Sequence, residues 1–173
     1  MCQLAFQFGR KIIHTPSIID IEASGFGMLS YPIEVGVVRQ DGARFCRLIK
    51  PFDDWYFWDN SAQKIHGISQ AILNRNGYDG IKVCHELNHF LKNSVVYTDG
   101  WVVDSPWLIK LFERAKVNMS FKVSSLEMIL KEQQMNTWHT TKDQVVNTLN
   151  LERHRASNDA LIVQRTFELT ARS

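Results

Sequence analysis

No apolar run in this 173-residue sequence approaches the roughly 20 residues that a membrane-spanning helix needs. The longest, such as Val35-Gly36-Val37-Val38, are strand-sized, so a soluble protein without a membrane segment is expected. Cysteine is scarce: Cys2, Cys46 and Cys84 stand far apart and make neither an even disulfide framework nor a closely spaced ligand pair. A reducing cytoplasm is the expected compartment. One-sided charge is lacking as well, with 20 Lys and Arg against 18 Asp and Glu, a formal net charge of +2, and neither half of the chain forms a polybasic arm. The start, Met1 to Ile13, places Arg10-Lys11 after a short apolar stretch rather than before a long one, the wrong order for a secretory signal. Internal repeats, linkers and low-complexity tracts are missing too. What is present, 45% hydrophobic and 22% charged residues, predicts one domain over residues 1–173, with a core from about residue 15 to 171.

The order of elements predicts the fold class. Ser17 to Glu22 is a β-branched run whose alternation puts Asp20 and Glu22 on one face and Ile19 and Ile21 on the other. Gly25 and Gly27 break it, Pro32 to Arg39 reads as a second strand, and Asp41-Gly42 is a hairpin signal leading into a third strand, Ala43 to Ile49. Helical periodicity follows at Ser61 to Ile65, at Ser69 to Leu73 with Ser69 as N-cap, and at Gly80 to Leu91 with Ile81, Cys84, Leu87 and Leu91 on one stripe. Ser94 to Thr98 is a short strand, and Pro106 reads as the first residue of a helix running to Ala115. A last strand near Phe121 to Val123, helices over Leu126 to Gln134 and Thr141 to Leu149, and a long helix over Ala156 to Leu169 complete the pattern. Ala156, Ala160, Val163 and Phe167 form the buried stripe of that last helix. The expectation is an α/β fold: a three-strand antiparallel meander plus parallel strands, in a mixed five-stranded sheet flanked by helices.

Asp20-x-Glu22 in an otherwise apolar strand is anomalous, because two like charges on neighbouring same-face positions repel and one would have to take up a proton. Either the face is solvated, or a divalent cation offsets the charges, carboxylates and waters being its natural ligands. Asp104 follows a strand end, where sites in α/β sheets tend to be built. Asp159 falls in the first turns of the last helix. His154 precedes it by five residues, a spacing that cannot share a helical face, so His154 must sit on the preceding loop if the two are to converge.

Three ordered segments carry a resemblance. Asp20-Ile21-Glu22-Ala23-Ser24-Gly25-Phe26, then Thr98 through Asp104-Ser105-Pro106-Trp107-Leu108, then His154-Arg155-Ala156-Ser157-Asn158-Asp159-Ala160 resemble the three motifs of the DEDDh 3′–5′ exonucleases. That superfamily includes ribonuclease T and the proofreading subunit of DNA polymerase III. Tyr31-Pro32-Ile33-Glu34-Val35-Gly36 resembles the family's second strand, and Lys64-Ile65-His66-Gly67-Ile68-Ser69 its Ile-His-Gly-Ile-Thr segment.

The resemblance implies a ribonuclease H-like fold in which Asp20, Glu22, Asp104 and Asp159 bind two divalent ions, Mg²⁺ with Mn²⁺ as a substitute, and His154 is the general base. In such two-metal sites one ion activates the attacking water and the other stabilises the leaving oxygen. An imidazole, with an ordinary pKa of about 6.5, suits the transfer of that water's proton. Asp99 stands where relatives usually carry Asn, so Asp104 is preferred as the third acid. The implied substrate contacts are Ala23, Phe26, His66, Gly67 and Ile68, on the 3′ end of single-stranded DNA or RNA; Arg153, Arg155 and Lys142 are candidates for phosphate. The aromatic loop Trp55-Tyr56-Phe57-Trp58 is read as a satellite core that, if exposed, would stack bases or bind a protein.

The expected activity is release of nucleoside 5′-monophosphates from 3′ ends. DNA is preferred because the second motif resembles that of DNA-degrading repair members. An RNA 3′-end trimming or oligoribonuclease-like enzyme, and a non-catalytic nucleic-acid-binding or polymerase-associated module, stand beside it as alternatives. Several relatives are dimers, which leaves a homodimer open.

Overall fold

The computed structural model describes residues 14–172, so Cys2 and the segment Met1 to Ile13 lie outside the described residues. Three strands, β1 (Ser17–Ala23), β2 (Pro32–Val38) and β3 (Arg44–Leu48), form the antiparallel meander. The Asp41-Gly42 turn closes the β2–β3 hairpin, with Gly42 at φ 83° and the Arg39 N–H donating to the Ala43 carbonyl at 2.8 Å. Strands β4 (Val95–Thr98) and β5 (Lys122–Ser125) add in parallel on the other side, giving the order β3-β2-β1-β4-β5. The mixed five-stranded sheet expected from the element order is therefore present.

Helices cover both faces. The short helices α1 (Asn60–His66) and α2 (Gln70–Asn76) follow the meander. Asp59 caps α1 by accepting from Ser61 N at 2.7 Å, and Ser69 caps α2 by accepting from Ile72 N at 3.2 Å. On one face, α3 (Gly80–Phe90) and α4 (Trp101–Ala115) pack Val83, Leu87, Leu108 and Leu111 against Ile19, Ile21, Val35 and Val37. On the other, α5 (Glu132–Leu149) and α6 (Ala156–Thr170) bring Trp138, Ala160, Val163 and Phe167 onto Ile18 and Val38. The alternation in β1 thus divides its apolar side chains between two cores. No helix of the described residues is long and apolar enough to cross a membrane.

Three local expectations are corrected. Pro106 does not open α4, which starts at Trp101 and contains Pro106. The Thr98 hydroxyl accepts from Gly100 N at 2.9 Å and donates to the Asp104 carboxylate, so the chain turns into a helix directly at the end of β4. Pro106 then lacks only its own bond back toward Val102, an exposed residue. The helices expected over Leu126 to Gln134 and Thr141 to Leu149 are instead a 3₁₀ turn over Leu126–Ile129 and one continuous 18-residue helix, since nothing between Met135 and Thr140 breaks it. In α3 the buried stripe uses Val83 rather than Ile81, which is exposed.

Candidate active site

Three elements deliver the acids. Asp20 and Glu22 project from β1 on the same side as Ile18, toward α6, and a β-bulge between Glu22 and Ala23 ends the regular pairing. Asp104, 4% exposed, lies in the first turn of α4, held by the Thr98 hydroxyl. A β-carbon on Gly100 would stand 2.9 Å from Asp104 Oδ2, so the absence of a side chain there lets the carboxylate lie against the backbone. Asp159 lies in the first turn of α6, where Arg153 Nε donates to Oδ1 at 2.7 Å and the His154 backbone N–H donates to Oδ2 at 2.9 Å. His154 occupies the loop before α6 with φ 58°, the left-handed region. The expected loop position is the observed one, and ligand atoms of Glu22, His154 and Asp159 all lie within 4.8 Å of one another.

Electrostatics ties Asp20 and Asp104 to this group. Burial first, then the charges of Asp104, Glu22, Asp159 and Asp99, push Asp20 well above the usual carboxylate range. Burial, together with Asp159, Glu34 and Asp104, raises Glu22 to about 8. Asp104 is raised to about 7 by burial and, to a smaller extent, by Asp99, against the hydrogen bond from Thr98. Buried and half-buried carboxylates that oppose one another's ionisation favour either protons or a cation. The donors are carboxylate oxygens and one imidazole, a set that fits a hard or borderline divalent ion. Glu22, His154 and Asp159 bring ligand atoms close enough to hold such an ion, and Asp20 lies within reach of the charges of Glu22, Asp159 and Asp104. The His154 ring is close enough to accept a proton beside it.

The expected substrate contacts divide. Ala23 ends β1 and is buried; Phe26 is 69% exposed on the β1–β2 loop, its ring 6.1 Å from that of Trp107. Gly67 ends α1 with φ 70°. His66 is buried, and its Nδ1 accepts from Ile68 N at 3.0 Å, which puts the proton on Nε2. That Nε2 lies near the Ala23 backbone yet closes no hydrogen bond among the described residues. The Ile68 side chain packs with Tyr31, Ile33 and Leu73 and is not brought to the site, leaving only its backbone on the Gly67 side.

The three basic candidates are not free surface charges. Arg153 pairs with Asp159, Arg155 with Glu34, and Lys142 with Asp99 at 2.6 Å. The aromatic loop is largely a satellite core: Trp55 stacks on Tyr31 with centroids 5.0 Å apart, Trp58 Nε1 donates to Gln63, and Tyr56 alone of the four is exposed. Glu34 and Thr98 were not singled out by sequence reasoning. The signal for Glu34 was an acid in a strand otherwise made of apolar residues and Gly36.

No protein-family model and no curated protein sequence matches the chain. Solved structures do. Exonuclease I of E. coli in complex with a dA16 oligonucleotide superposes with a TM-score of 0.66 at 14% identity, over 88% of this chain and 42% of that one. A product-bound exonuclease I gives 0.67 at 13% identity, over 91% and 44%. Exonuclease I from Methylocaldum szegediense gives 0.56 at 14% identity, over 70% and 29%. The chain therefore spans less than half the length of each. At this identity the likeness is one of architecture: the mixed sheet with helices on both faces is the ribonuclease H-like fold of the exonuclease I structures.

Proposed function

We propose that the protein is a divalent-metal-dependent 3′–5′ exonuclease that releases nucleoside 5′-monophosphates from the 3′ end of single-stranded nucleic acid, DNA in preference to RNA. The observation that carries this is the meeting of Glu22, His154 and Asp159 within 4.8 Å, beside Asp20 and the buried Asp104. The shared fold supports it, as do the oligodeoxynucleotides in the exonuclease I structures and the zinc ion in one of them.

In this reading Asp20, Glu22, Asp104 and Asp159 hold two Mg²⁺ or Mn²⁺ ions, which when bound supply water activation and charge stabilisation at the leaving oxygen. The protein's own contribution is positional. His154, on a loop tied to Asp159 through its backbone N–H, takes the proton of the attacking water. Phe26 offers a ring face to a base, and Gly67 lets the terminal sugar approach the backbone. One chain supplies all of these groups, so a second copy is not needed to complete the site.

The deciding experiment uses 5′-labelled DNA and RNA oligomers of several lengths with Mg²⁺ or Mn²⁺. Stepwise shortening from the 3′ end, 5′-monophosphate products and inhibition by chelator are expected, with DNA degraded faster. Binding without degradation of any substrate would overturn the enzymatic reading in favour of a binding module.

A further inference from the structure

Glu34 has no solvent exposure and stands in the middle of β2. A buried ionised carboxylate persists only when it is paired and hydrogen-bonded. Here Arg155 Nη2 donates to Oε1 at 2.6 Å, Arg155 Nε to Oε2 at 3.2 Å, the Ala156 backbone N–H to Oε2 at 2.8 Å, and the Cys46 thiol reaches Oε1 at 3.6 Å. Each oxygen therefore accepts two contacts, and neither is left for a cation.

The donors share one location. Arg155 follows His154 directly, Ala156 opens α6, and Asp159 belongs to the first turn of that helix. A carboxylate at a helix N-terminus satisfies an orphan N–H and meets the positive end of the helix dipole. Glu34 also lies directly opposite Glu22 in the β1–β2 register. Two residues further on, Gly36 lies opposite Asp20, and a β-carbon there would stand 2.1 Å from Ser157 N. Strand β2 thus grips the start of α6 at one polar point and one steric point, beside the two acids of β1 on the same face of the sheet.

We infer that Glu34 is a positioning residue: through Arg155 and Ala156 it fixes His154 and Asp159 at their working distance from Glu22. A buried ion pair is a weak source of stability compared with apolar side chains of similar volume. What an apolar side chain lacks is the ability to take the Ala156 N–H and the Arg155 fork together and so set the helix start in one place. The inference rests on the proposed function only for its kinetic arm.

The test compares Glu34→Gln, Arg155→Gln and the double variant with the unaltered protein. Mn²⁺ dissociation constants are measured by electron paramagnetic resonance without substrate, and kcat, KM and the pH profile with a labelled oligomer. Each single variant should weaken Mn²⁺ binding by about 10–100-fold, the range seen when partners behind metal ligands are removed. It should lower kcat with little change in KM, and the double variant should be no worse than the more severe single. Arg155→Lys, which keeps the charge but loses the fork, should fall between. If folded Glu34→Gln and Arg155→Gln bind Mn²⁺ as the unaltered protein does, the inference is overturned, whatever their melting temperatures. Should Glu34→Gln fail to fold, Arg155→Gln decides, because that side chain is one-third exposed (33%). If the unaltered protein degrades nothing, the functional reading fails alone, and the Mn²⁺ measurement still decides the positioning role.

Discussion

Glu22 and Glu34 face each other across the β1–β2 pair, and Glu34 is ion-paired with Arg155 whereas Glu22 has no ion pair among the described residues. Glu34 is neutralised by Arg155, whereas Glu22 is raised to about 8 by burial first and then by Asp159 and Glu34. Like charges placed opposite each other in a ladder are destabilising. Arg155 pairs directly with Glu34 and offsets the charge on Glu22 only in part.

Stability should fall with rising pH in the cation-free protein. Glu22 and Asp104 hold protons up to about 8 and about 7, against ordinary values of 4.5 and 3.8. Across that window the folded state binds protons that the unfolded chain has released, so the free energy of unfolding declines as pH rises from about 4 to about 8. Melting temperatures in chelator should be higher near pH 5.5 than near pH 8, and added Mn²⁺ should raise them more at the higher pH, where the acids lose their protons readily. A flat profile in chelator would contradict this.

His154→Ala and Asp20→Ala should separate the roles. Loss of a general base lowers kcat by about 10²–10⁴-fold. His154→Ala should do so with a much smaller effect on Mn²⁺ affinity than Asp20→Ala, which should impair both. Full turnover in the His154 variant would remove it from the base role.

Gly36→Ala should damage the fold. Its new methyl would meet the α6 backbone at 2.1 Å from Ser157 N and 2.2 Å from the Ala156 carbonyl carbon, neither of which can rotate away. Overpacking of this kind costs at least about 1–3 kcal/mol. Denaturant titration should show a lower midpoint; an unchanged midpoint would mean that α6 can lift from the sheet.

Arg153→Gln should tighten Mn²⁺ binding, because Arg153 Nε already occupies Asp159 Oδ1 at 2.7 Å and competes with a cation for it. Calorimetric titration of the two proteins reads this directly. Weaker binding in the variant would show instead that Arg153 holds Asp159 in place for the ion.

Phe26→Ala should leave the melting temperature nearly unchanged, since the ring is mostly exposed. If it stacks on a base, oligonucleotide binding should weaken by about 1–3 kcal/mol. Equal affinity would assign the ring to its contact with Trp107 alone.

Sequence pattern made β1 to β3 legible because alternation, Gly25, Gly27 and Asp41-Gly42 are local signals that agree with one another. It also placed His154 on the loop before α6, since a five-residue offset from Asp159 admits convergence only there. It missed the start of α4 because the decisive contact, Thr98 to Asp104, is made by side chains, whereas Pro106 is a strong but secondary cue. It missed the partners of Arg153, Arg155 and Lys142 for a similar reason. Ion pairs such as Lys142–Asp99 and Arg155–Glu34 join residues far apart in the chain and leave no periodic trace.

The corner at Thr98, Gly100 and Asp104 also governs where this chain can change length. Each residue advances an α-helix by about 100°, so one residue inserted between Gly100 and Asp104 would swing that carboxylate to a different side of α4. The hydroxyl that receives Gly100 and holds Asp104 leaves no slack to absorb the shift. An insertion or deletion here would therefore carry Asp104 away from the acids of β1, so the spacing from Thr98 to Asp104 must be inherited intact.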